Sequence, residues 1–150
     1  MKVFVDTNVI IENVIRRERF DVARRVIDSL LVDKNELYMS SGCFYTLLYV
    51  VDKYLRSEFR MEKTFRLAFL RNMAHGLLSD FRVAAHDNDS LLCSIEDFRF
   101  SDIEDSCQLQ AAIASGCDYL LSFNVADYPS SDDRIMILSP EEFMKKIINE

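Results

Sequence analysis

Val3-Phe4-Val5-Asp6-Thr7-Asn8-Val9-Ile10, residues 3–10, is a short apolar run that stops on a carboxylate, a hydroxyl and an amide. Val3, Phe4 and Val5 are β-branched or aromatic and suit a buried strand. In an open parallel sheet, ligands gather at the carboxyl ends of the strands. Asp6 therefore has two readings. It either caps the helix that follows, as Asn8 also could, or it offers its charge to a metal ion.

Moving outward, the 150 residues fit one domain with a sizeable core. No linker, repeat or low-complexity tract divides them, so residues 1–150 are expected to form a single domain. No leader peptide is expected, because Lys2 is followed by a short apolar run and then Asp6. No apolar stretch approaches the roughly 20 residues of a membrane span. Cys43, Cys93, Cys107 and Cys117 form no C-x-x-C pair, and His75 and His86 are the only imidazoles. That pattern argues against structural zinc and for reduced, mostly buried thiols in a cytoplasmic protein. No Ser/His or Cys/His pair suggests nucleophilic catalysis.

The net charge of −7 is not that of a protein held to nucleic acid by its overall field. A nucleic-acid substrate stays open, since carboxylates neutralised by divalent cations can present a locally positive surface to phosphate. The basic residues fall in two groups, Arg16, Arg17, Arg19, Arg24 and Arg25, then Lys53, Arg56, Arg60, Lys63, Arg66 and Arg71. Such groups are more often solvated helix faces than binding patches. Arg56, Arg60 and Lys63 are the best candidates for a rim that guides substrate.

Short apolar runs alternate with amphipathic stretches, the α/β pattern. Helices are expected over 20–32, from Ser41 to about Leu55, and over 61–74. Strands are expected at 37–39, 82–85, 118–122 and 134–138, with Asp87 or Asp89 capping the helix after the third strand. Ser101-Asp102-Ile103-Glu104 reads as a capping box opening a helix that stops at Gly116. Ser139-Pro140-Glu141-Glu142 reads as a second box with proline at the first helical position.

Asp102 and Asp105 share one face of the capped helix, where its N-terminus favours anions. Asp105 has no capping duty, and the small residues Ser106 and Cys107 follow it. The next strand ends in Ser122-Phe123-Asn124-Val125-Ala126-Asp127-Tyr128, again a hydroxyl, an amide and a carboxylate. The plainer reading there is an Asx turn before Pro129. Oxygen donors without His or Cys suit Mg²⁺ or Mn²⁺. The matching chemistry is phosphodiester hydrolysis, in which a divalent cation lowers the pKa of water and offsets charge on phosphorus.

These segments, with Ile137-Leu138-Ser139-Pro140-Glu141-Glu142-Phe143, resemble a PIN domain, and within that superfamily the VapC-type toxins of toxin–antitoxin pairs. The resemblance spans nearly the whole chain and lies in the order and spacing of the motifs. It implies a three-layer α/β/α fold with a five-stranded parallel sheet. It also implies a Mg²⁺- or Mn²⁺-dependent endoribonuclease, commonly a homodimer, with an antitoxin protein as partner. The family's acids fall on Asp6 and Asp105, and its fourth position on Asn124 or Asp127. Asn8 and Ser122 match polar positions beside the metal. The family's second acid, a glutamate, has no counterpart. Thr46 stands there, able at most to hold a water, and the next carboxylate is Asp52. Asp6, Asp105 and Asp127 are thus the expected catalytic metal ligands, with Asn124 as an additional or water-mediated one.

The alternative is a PIN-fold module that binds RNA or a protein without cutting. A third reading is another metal-dependent phosphohydrolase of similar sheet topology; the absence of a D-x-D motif after the first strand argues against the commonest such phosphatases. The aromatics Phe44, Tyr45, Tyr49, Tyr54 and Phe59 are expected to divide between core and a subunit or partner surface.

Overall fold

Side-chain alternation along the first strand builds both faces of a central sheet. The computed structural model describes residues 1–149. Its strands are β1 (Lys2–Val5), β2 (Glu36–Ser40), β3 (Phe81–Ala84), β4 (Tyr119–Leu121) and β5 (Met136–Leu138). They form one five-stranded sheet in the order β3-β2-β1-β4-β5, every pair parallel.

The helices are α1 (Thr7–Ile15), α2 (Phe20–Val32), α3 (Ser41–Glu58), α4 (Lys63–Asp80), α5 (Asn88–Ile95), α6 (Ile103–Ala114) and α7 (Pro140–Phe143). The last runs on as a π-helical segment, Met144–Ile148. Val3 and Val5 pack with Val9, Ile10, Ala23, Val26, Leu30, Leu47 and Phe143 on one side. Phe4 and Leu120 pack with Leu109, Ala112, Tyr128 and Ile135 on the other. The fold is the three-layer α/β/α arrangement expected of the sequence.

Several boundaries differ from the sequence reading, each for a physical reason. Helix α1 begins immediately after β1, in the segment whose three polar residues suggested only a strand end and a cap. The helix expected at 61–74 runs from Lys63 to Asp80. Its apolar residues are spread around the axis, so no period marks its end, and Phe65, Leu67, Phe69 and Leu78 face solvent. The strand expected at 82–85 begins one residue earlier, at Phe81. Asp102, not Ser101, caps α6, because its carboxylate accepts from the Glu104 amide at 2.8 Å. Asp87 caps α5, with Ser90 closing a box.

Other punctuation stands where it was expected. Ser139 and Glu142 form the capping box of α7, with Pro140 inside its first turn. Gly116 adopts φ +67°, a left-handed conformation suited to glycine, and ends α6. There the Gly116 and Cys117 amides donate to the Ile113 and Ala112 carbonyls, the paired bonds of a Schellman motif. All four cysteines are free; Cys43 and Cys117 are buried, but Cys93 is exposed. Among the described residues no helix is long and apolar enough to cross a membrane.

Leu30 is fully buried where α2 meets the sheet. Leu30→Ala is expected to lower unfolding free energy by about 2–5 kcal/mol in urea denaturation. A loss under about 1 kcal/mol would contradict this core.

Candidate active site

The strand order reverses between β1 and β4, which run outward to opposite edges of the sheet. A doubly wound sheet opens a crevice at the carboxyl ends of such a strand pair. Val5 pairs with Leu121, so Asp6 and Ser122 are the next residues out, side by side. Alternation then points both toward the layer of α6, the face that Phe4 and Leu120 occupy. The topology alone brings the carboxylate and hydroxyl together.

Asp6 is only 2% exposed, so its charge needs partners. Its Oδ2 accepts from Ser122 Oγ at 2.6 Å, Asn8 Nδ2 at 2.9 Å and Tyr128 OH at 3.2 Å. Its Oδ1 receives only the Asn8 amide, at 3.4 Å, the contact that caps α1. Cap and site are therefore one residue, with the two oxygens dividing the duties. Oδ1 keeps lone pairs for a further electrophile. Asn8 extends the network by donating to Ser122 Oγ at 3.0 Å and accepting from the Phe123 amide at 3.1 Å. The Asn124 amide also donates to Ser122 Oγ, at 3.0 Å.

Helix α6 delivers the second carboxylate. Its position is tied to α1 by Gln108, whose Oε1 accepts from the Thr7 amide and hydroxyl, each at 3.3 Å. Asp105 lies one turn before Gln108 and is partly buried. Burial pushes its carboxyl up to about 7, assisted by the negative charges of Asp6, Asp102, Asp127 and Glu104. Asp127, in the single 3₁₀ turn Val125–Asp127, is exposed. Burial likewise raises the Tyr128 phenol, with Asp6, Asp105 and Asp127 adding repulsion, so it remains a neutral donor. Asp6, Asp105 and Asp127 thus share one negative field.

The other expected site residues divide. Asn8 and Ser122 bond directly to Asp6. Asn124 takes part through its backbone, and among the described residues its exposed side chain makes no hydrogen bond to the acids. Thr46 lies one turn beyond Cys43 on α3. The Cys43 thiol is pushed up to about 12 by burial, although a hydrogen bond with Thr7 lowers it. Thr46 itself makes no side-chain hydrogen bond among the described residues. Asp52 is no substitute for the missing acid, because Arg66 Nε holds it at 2.8 Å. His86 Nε2 donates to the Cys107 carbonyl at 2.7 Å, a structural tie to α6.

Three features were missed by reading along the sequence. Tyr128 and Gln108 act through tertiary contacts that leave no local signal. Glu104, read as a capping-box residue, instead adds its charge to the field at Asp105 and Cys43.

Among the described residues no three His, Cys, Asp or Glu side chains stand close enough together to enclose a metal ion. The donors are spread, all of them hard oxygens, and mutually repulsive. Such a set suits a small divalent cation that keeps several of its waters. A concavity of about 670 Å³ lies instead at the opposite ends of β4 and β5, beside Gly116, Asp118, Asp132 and Arg134, and holds none of these acids.

The family model for the PIN domain matches residues 2–126. The chain belongs to the PIN-domain family. This PIN domain also resembles solved structures. A chain of VapBC2 from Rickettsia felis, bound to a DNA fragment from their promoter, is similar at TM-score 0.65 and 15% identity, over 93% of this chain and 98% of that one. VapC20 of Mycobacterium tuberculosis, a Sarcin-Ricin loop cleaving toxin, is similar at TM-score 0.54 and 17% identity, over 79% of this chain and 86% of its own. No curated protein sequence matches this PIN domain.

The Asp105 carboxyl sits at about 7 when folded, against an ordinary value of 3.8. Between those values the folded chain binds the extra proton, and this contribution is complete at the acid end. It is lost as pH rises through about 7. Without divalent cations, Asp105→Asn is expected to melt above the wild type at pH 8, with the gap closing toward pH 5. Parallel melting curves at both pH values would contradict the assignment.

Proposed function

We propose that this PIN domain is a divalent-metal-dependent endoribonuclease and the toxin of a toxin–antitoxin pair. What supports this reading is the buried Asp6 carboxylate at the β1/β4 crevice, with Oδ1 left largely free, and the negative charges of Asp6 and Asp127 felt at Asp105 and Tyr128. Asp6, through Oδ1, Asp105 and Asp127 would hold Mg²⁺ or Mn²⁺, with Asn124 as a water-mediated ligand. When bound, such a cation lowers the pKa of water and offsets charge building on the phosphate. Ser122, Asn8 and Tyr128 hold the Asp6 carboxylate in one orientation by occupying its other oxygen. Thr7 and Gln108 hold α6 against α1 and so keep Asp105 at the same edge.

The protein partner would be an antitoxin, and a second copy of the chain would complete a homodimer. Apolar exposure supports such partners: Tyr45, Tyr49 and Phe59 on or beside α3 and Phe65 and Phe69 on α4 face solvent. Phe44 and Tyr54 instead pack partly against the interior. The VapBC2 complex and the toxin VapC20 have this fold, which agrees with the reading.

A second reading rests on α3. With Thr46 at the usual acidic position and Asp52 committed to Arg66, the domain would bind RNA or a protein without cutting. Incubation of single-stranded RNA with Mg²⁺ or Mn²⁺ separates the two. The wild type is expected to cleave, chelation to stop it, and Asp6→Asn to slow it by about two orders of magnitude. RNA retained but uncut by the wild type would favour the binding module. Equal cleavage by both proteins would indicate a contaminating nuclease.

A further inference from the structure

The network around Asp6 does not end at Ser122. The Phe123 amide donates to Asn8 Oδ1 at 3.1 Å, which fixes the Phe123 backbone to the side chain that also bonds Asp6. Over the Phe123 ring lies the Arg19 guanidinium, 4.9 Å from the ring centroid. A flat cation on an aromatic face is held by the ring's quadrupole while the edge carrying its N–H groups stays free.

Arg19 is also placed by its backbone. It stands at the N-terminus of α2 without a side-chain cap, and its amide donates to Glu12 Oε2 at 2.8 Å. Glu12 is thus engaged by the Arg19 main chain. Among the described residues no carboxylate pairs with the guanidinium of Arg16, Arg17 or Arg19. Arg66, Arg99 and Arg134 are all committed to aspartates. Arg16, in a left-handed conformation at φ 49°, lies over the Phe20 ring at 5.3 Å. Two arginines are therefore propped on aromatic rings in one short connection; the Phe123 ring packs on the α1/α2 side of the sheet, and its backbone is bonded to Asn8 next to Asp6 at the same strand end.

We infer that Arg19, propped on Phe123, is a substrate-binding residue that grips a backbone phosphate of RNA beside the acidic crevice. A field of carboxylates repels a polyanion, so an adjoining cation with free donors is needed to seat the strand. Guanidinium matches phosphate geometry through paired N–H bonds. Arg19 takes the role that the sequence reading gave to Arg56, Arg60 and Lys63. The inference rests on the nuclease reading and names how that site holds its substrate.

The test measures binding of a fluorescent single-stranded RNA to Asp6→Asn protein across a range of salt. Asparagine can still cap α1. Added Arg19→Ala is expected to weaken binding about tenfold. The slope of affinity against salt should become about 0.7 shallower, one phosphate contact fewer. Arg19→Lys, which keeps the charge without the planar stack, should recover only part of the loss. Phe123→Leu should weaken binding in the same direction, with melting curves confirming that each variant folds.

Arg56→Ala makes the same change in net charge and is expected to have a smaller effect. Equal losses in Arg19→Ala and Arg56→Ala would overturn the inference in favour of bulk charge. RNA binding unchanged by Arg19→Ala would overturn it while leaving the nuclease reading in place. Failure of the Asp6→Asn parent to bind RNA, together with no cleavage by the wild type, would remove both.

Discussion

Three donors on one oxygen of Asp6 hold the end of β1 in place. A carboxylate so deeply buried is costly unless its lone pairs are filled. Asn8, Ser122 and Tyr128 fill those of Oδ2, and each comes from a different local setting. Asn8 lies in the first turn of α1, Ser122 at the end of β4, and Tyr128 just after the 3₁₀ turn. Satisfying one buried charge therefore gathers the first and last parts of the chain at the same edge.

The neighbouring acids obey a different logic. Asp105 is partly buried, and its carboxyl is raised first by that burial and then by the negative charges of Asp6, Asp102, Asp127 and Glu104. The start of α6 eases this slightly through its dipole. Among the described residues no basic side chain forms an ion pair with these acids, since the arginine–aspartate pairs engage Asp28, Asp52, Asp97 and Asp132, outside this group. Perturbed carboxyls in a crevice are typical of sites that serve a ligand. The raised carboxyl of Asp105 costs folding free energy at neutral pH.

The fold was largely legible because its cues are local. The β-branched and aromatic run Val3-Phe4-Val5 marked β1, Gly116 marked the end of α6, and Ser139-Pro140 marked α7. For the candidate site, residue type and strand ends pointed to Asp6 and Asp127, a helix start to Asp105, and the family resemblance to Asn8 and Ser122, the two that the structure joins to Asp6 by hydrogen bonds. Tyr128 was read as part of a turn, because nothing near it in sequence reveals a hydroxyl aimed at Asp6. Gln108 resembled any helical glutamine until Thr7 met it across 101 positions. Helix α4 failed differently, since apolar residues on every side give no period from which to read an inner face. Asp102 prevailed over Ser101 because a carboxylate makes a stronger, charge-assisted cap.

The central position of β1 has a consequence for how the chain matures. This strand is made first, yet its neighbour β4 arrives only after more than a hundred further residues. The bond from Ser122 to Asp6 spans 116 positions. Contacts so distant in sequence form late and slowly, after the loop between them has been closed. A nascent chain that has not yet reached α6 and β4 lacks both Asp105 and Ser122. The timing of synthesis thus keeps the acids apart until nearly the entire domain exists.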